Sequence, residues 1–351
     1  MRGSIRLFRI FGISINIHVT FLLILALFFW GGLKSAALII GVFTLVTLHE
    51  LCHSLVAKRF GVRVTDITLL PIGGVASMTS MPEKPLHEFL IAVAGPFFNL
   101  AVIAVLYLPM QAIFGSGFWR YPLSIDTWPL TAIYIYKINF FLAAFNLIPA
   151  FPMDGGRLLR SVLAQKLGFH RATKIAVSLG HLFALAFAFM GIVVRFNIIW
   201  IAIAFFIYIA ASNEEAQVDL RETLKKVRVR DILSPDFLTL TPDMTLAKVL
   251  EVMFHSRQED FPVLDGGRAV GFVARQDILT GIHQFGMEKM VGDIMRKDFP
   301  ALKDTDTLGA VQELMHDKGM SALPVMKEGQ FAGIVTVEDI GRVYAILSRR
   351  F

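Results

Sequence analysis

The chain of 351 residues is poor in charge and nearly free of cysteine: Asp, Glu, Lys and Arg make up 18% of it, and Cys52 stands alone. A single cysteine excludes an intramolecular disulfide framework and fits a reducing compartment. The net charge of +6 would suit nucleic acid, yet no run of Lys and Arg with interleaved aromatics occurs, and the basic residues mostly flank apolar segments. Orientation in a membrane accounts for that placement, so nucleic acid is not an expected partner. No small-residue cleavage site follows the first apolar stretch, so no removed signal peptide is expected.

What the chain has in excess is apolar surface: 55% of its residues are hydrophobic and 31 are phenylalanine, far from an average soluble domain. Long apolar runs fill residues 14 to 212, whereas residues 213 to 351 mix charged, apolar and turn residues. A membrane domain over 1–212, a linker over 213–228 and a soluble domain over 229–351 are therefore expected. A span needs about 20 largely apolar residues. Six segments qualify, near 16–33, 36–57, 88–109, 129–148, 175–194 and 196–212. The loops between them alternate between rich and poor in Lys and Arg, which predicts cytoplasmic termini at both ends. Between the second and third candidates, "VRVTDITLLPIGGVASM" reads as two short strands and a turn. Such a hairpin must lie at the interface or line a cavity, because an open sheet edge cannot face lipid.

The soluble part repeats itself. Asp231-Ile232 recurs as Asp293-Ile294, Thr245-Leu246 as Thr307-Leu308, Pro262-Val263 as Pro324-Val325 and Asp277-Ile278 as Asp339-Ile340, each offset by 62 residues. Each unit reads as an extended "TL", an amphipathic helix, a strand, a Gly turn, a second strand and a helix. This resembles the cystathionine-β-synthase-type (CBS) repeat, with units at 229–280 and 291–348. The resemblance implies one pseudo-symmetric α/β module and homo-oligomerisation through it. "GIVTVEDI", residues 333 to 340, resembles that family's nucleotide-binding signature, which implies that Thr336 and Asp339 hydrogen-bond ribose and phosphate groups of ATP or another adenine nucleotide. The first unit keeps Asp277, which the resemblance makes a further nucleotide-binding candidate, but has Ala274 where the hydroxyl should be. One nucleotide site is expected, against the competing reading of a dimerisation module without ligand.

The chemistry is concentrated in "TLHELCHSL", residues 47 to 55. His49 and His53 are four apart, so a helix turns both rings to one face within reach of a single ion. Glu50 beside them can take a proton from water activated by that ion, and zinc suits three nitrogen or oxygen ligands with a fourth position open. Burying two imidazoles and a carboxylate in an apolar helix costs a few kcal/mol unless a partner offsets it. The third ligand is open at this point. The elongated metzincin pattern would need Gly and His where Val56 and Arg59 stand, and so is excluded. Glu83 and Glu88 would serve a protease with a helical Glu ligand. Asp154 is the better candidate: in "NLIPAFPMDGGR" Pro149, Pro152, Gly155 and Gly156 break an apolar helix, and broken helices persist in bilayers only when buried in protein or lining a cavity.

With "PIGGVA" at 71–76 and "AGPFFN" at 94–99, the two motifs resemble the site-2 protease family of intramembrane zinc metalloproteases over about residues 10 to 212. The resemblance implies a polytopic α-helical membrane domain in which His49, His53 and Asp154 bind one Zn2+ and Glu50 is the general base. It implies that Asn146 holds the substrate backbone or polarises the scissile carbonyl, that Asn99 lines the site, and that the hairpin at Gly73 and Gly74 pairs with extended substrate. The implied partners are transmembrane proteins such as anti-sigma factors, precursor sigma factors or signal-peptide remnants. Because a helix hides its peptide bonds, a substrate segment must unwind first. His49 lies near the basic end of its span, so cleavage is expected in the inner third of the bilayer.

The runner-up from another class is a CBS-regulated ion transporter or channel with a His/Asp ion site at mid-membrane. Such proteins often show repeats within the membrane half, and none is found here. An inactive relative that only binds membrane segments is the third reading, and the intact motifs oppose it. Cys52 reads as a small buried filler. His18 and His181 read as satisfied core or interfacial histidines, and Lys137 and Asn139 carry no catalytic expectation.

Overall fold

The computed structural model describes residues 3–71, 73–78, 84–194, 196–233, 237–256, 258–327 and 330–347. Two compact units divide the chain, Met1–Ala216 and Gln217–Phe351.

The first unit opens with a hairpin, β1 (Ser4–Ile10) and β2 (Ile13–His18), followed by a short helix α1 (Val19–Trp30). The expected span near 16–33 is thus divided: the alternation Ile13-Ser14-Ile15-Asn16-Ile17 forms a strand, and only 12 residues remain for α1. The helices α2 (Leu33–Arg59), α3 (Pro85–Phe114), α4 (Trp128–Asn146), α6 (Phe169–Val193) and α7 (Ile198–Lys226) are five that are long and apolar enough to cross a membrane. Between α4 and α6 lies α5 (Asp154–Leu167), after the loop that carries the prolines. The polar stretch read as a connector continues α7 to Lys226.

The expected hairpin is present as β3 (Val64–Leu70) and β4 (Gly73–Met78), but it belongs to a four-stranded sheet in the order β1-β2-β3-β4. Strands β2 and β3 are parallel, with Ile15 opposite Ile67 and Ile17 opposite Leu69. Their apolar face packs on the C-terminal half of α2, where Ile13, Ile15, Val64 and Ile67 join Leu51 and Ala57 in one core. On the polar face, Asp66 collects hydrogen bonds from Asn16, Thr68 and Ser77. Helix α3 is central and touches α2, α4 and α5.

The second unit keeps the internal symmetry. Helix α8 (Leu246–His255), β5 (Phe261–Asp265), β6 (Arg268–Val273) and α9 (Arg275–Phe285) form the first repeat. A short α10 (Val291–Ile294) leads to β7 (Leu302–Lys303), α11 (Leu308–Lys318), β8 (Ala322–Lys327), β9 (Gln330–Thr336) and α12 (Val337–Leu347). The turn between β5 and β6 places Gly266 and Gly267 at φ +54° and +78°, which side chains rarely adopt. The repeats exchange their leading segments. Arg228, ahead of the first, bridges Thr307 of the second, and Met290, ahead of the second, bridges Thr245 of the first. Val229 and Val291 accordingly sit in opposite cores, each fully buried. Neither repeat can complete its core alone, which is the physical reason the two occur as a pair.

Candidate metal centre

Helix α2 presents His49 and His53 one turn apart, and both are buried. Asp154 opens α5 and points at them. His49 Nε2, His53 Nε2 and Asp154 Oδ2 lie 3.1 Å from one another in all three pairings. Tetrahedral zinc with bonds of about 2.0–2.1 Å needs ligand atoms about 3.4 Å apart, so a small outward relaxation of this triangle, about 0.3 Å per edge, seats the ion. The remaining ring nitrogens are committed. His49 Nδ1 donates to Asn99 Oδ1 at 3.2 Å, and His53 Nδ1 donates to the Ile91 carbonyl at 2.6 Å. With those protons fixed outward, both Nε2 atoms present lone pairs to a carboxylate oxygen. Three acceptors converging in a buried place suit a cation, and outer hydrogen bonds of this kind orient metal-binding imidazoles.

Space for an ion is made by Gly95. A Cβ there would stand 2.6 Å from His49 Cε1 and Nε2, and closer still to His53 Nε2. Pro96, the next residue, lacks the N–H that would bond the Ala92 carbonyl. That loosens the α3 ladder beside Ile91, whose carbonyl accepts from His53. "AGPFFN" therefore supplies the floor of the site, the opened helix and the His49 partner from a single stretch.

The loop before Asp154 is seated by glycine in the same way. A Cβ on Gly155 would collide with the Leu147 and Ile148 carbonyls, one on Gly156 with the backbone of Ala150 and Phe151, and one on Gly180 with the Phe151 carbonyl. The Phe151 N–H donates to the Ala176 carbonyl at 3.2 Å. Asn146 ends α4 at the other end of this loop and is half-buried, with no side-chain hydrogen bond to the described residues.

Glu50 follows His49 and faces β4: a Cβ on Gly74 would stand 2.8 Å from Glu50 Cγ. Among the described residues strand β4 is an outer strand of the sheet, and it passes Glu50 at Gly74, with Gly73 at its start. Among the described residues, His49, His53 and Asp154 are the one cluster of three or more metal-ligating side chains. Glu88 is engaged elsewhere, accepting from Arg160 through both Nε and a terminal guanidinium nitrogen. Glu83 lies outside the described residues.

Other singled-out side chains have structural partners. His18 caps α1 by accepting from the Thr20 N–H, His181 pairs with Ser212 Oγ at 3.0 Å, and Lys137 donates to the Trp119 and Tyr121 carbonyls. Asn139, without an expected role, donates to the Asn99 carbonyl at 3.1 Å and so braces the residue that holds His49.

In the second unit, Asp339 Oδ2 accepts from the Thr336 N–H at 3.0 Å and from its hydroxyl at 2.8 Å, closing the N-terminus of α12. Asp277 does the same for the Ala274 N–H, but its other oxygen is held by Arg296 at 2.8 Å. Asp260 nearby accepts from the Arg275 N–H, and its burial pushes its carboxyl above the ordinary value.

Comparison with known proteins gives the family. The pattern of Peptidase family M50 matches residues 37–124 and 123–189, and that of the CBS domain matches 229–284 and 291–345. A zinc metalloprotease of Methanocaldococcus jannaschii is 36% identical over 99% of this chain and 98% of its own length. A relative named Rip3, from Mycobacterium tuberculosis, is 30% identical over 98% of this chain and 93% of its own. The solved site-2 protease from Methanocaldococcus jannaschii is 41% identical, with 60% of this chain and 95% of that one covered at a TM-score of 0.45. The chain belongs to peptidase family M50: it is a multi-pass membrane zinc metalloprotease of the site-2 protease type, with a C-terminal pair of CBS domains.

Proposed function

We propose that this protein hydrolyses peptide bonds of membrane-spanning substrates inside the bilayer, as the proteolytic step of a regulatory cascade. The observation that carries the reading is the 3.1 Å triangle of His49, His53 and Asp154 beside Glu50, built on elements of a multi-pass helical unit. His49, His53 and Asp154 would hold one zinc ion, which when bound would supply Lewis acidity toward water and a carbonyl oxygen. Glu50 takes the proton of the attacking water and passes it to the leaving amine. The half-buried Asn146 amide donates to the substrate backbone, and Asn99 keeps the His49 ring in its productive tautomer. An unwound substrate segment adds to the free edge of β4 at Gly73 and Gly74, which brings its backbone past Glu50. Strand addition also explains why helix-weakening residues in the substrate should speed cleavage.

The basic loops orient the chain with both termini and the CBS pair in the cytoplasm, so cleavage in the inner third of the membrane releases a cytosolic fragment. Substrates of this chemistry include anti-sigma factors, precursor sigma factors and signal-peptide remnants. The test is co-expression with candidate membrane substrates. Wild type should shorten the substrate and Glu50→Gln should leave it intact; equal shortening by both would overturn the reading.

The CBS pair regulates this activity through one adenine-nucleotide site at Thr336 and Asp339, and it assembles the chain into a homo-oligomer. The first repeat takes no nucleotide, because Ala274 offers no hydroxyl and Arg296 occupies Asp277. Titration calorimetry of the full chain with ATP, ADP and AMP should give one site per chain, lost in Asp339→Ala. Absence of heat with all three would favour a module for dimerisation alone.

A further inference from the structure

Arg160 is a charged side chain with 2% of its surface exposed, and no step of the proteolysis uses it. Its Nε and one terminal nitrogen donate to Glu88 Oε1, and the other terminal nitrogen donates to Glu214 Oε1 at 2.7 Å. The guanidinium also lies over two aromatic rings, 4.7 Å from the centroid of Phe151 and 4.5 Å from that of Phe169. One side chain on α5 thus reaches α3 through Glu88, α7 through Glu214, the start of α6 through Phe169, and the Asp154 loop through Phe151.

These attachments bear on the metal centre. Glu88 lies three residues before Ile91, whose carbonyl fixes His53, and it shares α3 with Gly95 and Asn99. Arg160 shares α5 with Asp154 and stacks on Phe151, three residues before that ligand. The Glu88–Arg160 pair therefore spans the two elements whose separation decides whether the carboxylate meets the two imidazoles at bonding distance. Stability alone does not explain such a cluster. A buried ion pair replaced by apolar residues of like volume is often neutral or stabilising, and Glu88 Oε2 is left without any hydrogen-bond partner among the described residues. What the cluster supplies is a fixed geometry, since a planar fork bonded to two carboxylates and packed against two rings has one place to sit.

We propose that Arg160 is a positioning residue of the metal site: through Glu88 and Phe151 it sets Asp154 against His49 and His53. This rests on the zinc reading above. The test uses the full chain in lipid nanodiscs, with three variants: Arg160→Lys, which keeps the charge but loses the fork and the stacking; Arg160→Met with Glu88→Gln, which removes the pair at similar volume; and Asp154→Asn as the ligand control. Zinc affinity is read by chelator competition, ligand geometry by the visible absorption of the cobalt-substituted protein, and folding by thermal unfolding of the metal-free protein.

Both Arg160 variants should bind zinc about 10- to 100-fold more weakly, with an altered cobalt spectrum, a lower kcat and an unchanged KM, while still unfolding cooperatively. A folded variant with wild-type zinc affinity and cobalt spectrum would overturn the inference alone. So would loss of the fold in both variants, because Arg160 would then be a stability residue first. If wild type takes up neither ion, or Asp154→Asn binds as tightly as wild type, the zinc reading fails and the inference with it.

Discussion

Gly95→Ala adds one methyl group at the point where the three ligand atoms converge. Its carbon would stand 2.6 Å from His49 Nε2, whereas unbonded carbon and nitrogen settle near 3.5 Å. The imidazole must therefore retreat by about 0.9 Å, several times the roughly 0.2 Å tolerance of a zinc site. His53 is displaced as well, because its Nε2 lies nearer still to the added carbon. Two of the three ligands are lost to one substitution, so zinc affinity should fall at least ~10³-fold, about 4 kcal/mol. The fold should survive. Alanine gains about 1 kcal/mol over glycine inside a helix, and overpacking of this size costs about 1–3 kcal/mol, which leaves a net loss of at most about 2 kcal/mol. Elemental analysis and chelator competition on purified full-length protein, with circular dichroism beside them, measure both quantities. One zinc per chain at wild-type affinity in Gly95→Ala would refute the assignment of this space to the ion.

Gly74→Ala should show the opposite division, because its Cβ would press on Glu50 Cγ and on no ligand: zinc content stays at wild type and kcat falls at least tenfold, and an unchanged kcat would remove Glu50 from the role of base. Asn99→Ala leaves the His49 Nδ1–H without its acceptor, and zinc affinity should drop about 10- to 100-fold, whereas a purely lining role would change KM alone. Asp260 has a folded-state pKa raised by burial above 3.8, so the native state binds its proton more tightly than the unfolded chain. The stability it contributes is present below that value and is lost as pH rises through the folded one. Asp260→Asn keeps an acceptor for the Arg275 N–H, so thermal unfolding of the CBS pair in the full chain should lose that decline. An unchanged pH dependence would contradict the attribution.

The cluster of His49, His53 and Asp154 was legible because local rules bear on each member. Two histidines four apart must share a helix face, and a proline- and glycine-broken helix at depth must line something, so His49, His53 and Asp154 could be joined across 105 residues. The reading near 16–33 failed for a physical reason too. Averaged hydropathy cannot distinguish the end of an alternating strand from the start of a helix, and residues 16–18 belong to the buried strand β2, which leaves α1 with 12 residues. Gly95 and Asn139 could not be assigned from spacing, since one matters for what it leaves empty and the other acts on a backbone carbonyl of a different helix. Arg160 pairs with residues 72 and 54 positions away. No period in one sequence reports such a contact. In the repeats the offset revealed the architecture, but that Arg296 closes Asp277 is visible only in three dimensions.

Glu50 with the His49, His53 and Asp154 set is proposed to cut a peptide bond within a membrane segment. The most direct test is reconstitution of the purified protein in liposomes with a synthetic transmembrane peptide carrying helix-weakening residues, followed by mass mapping of the products. A single cut is expected inside the apolar stretch, on its cytoplasmic third, that requires zinc and is abolished by Glu50→Gln and Asp154→Asn. Cleavage that persists in either variant, or that falls only outside the apolar stretch, would contradict the proposal.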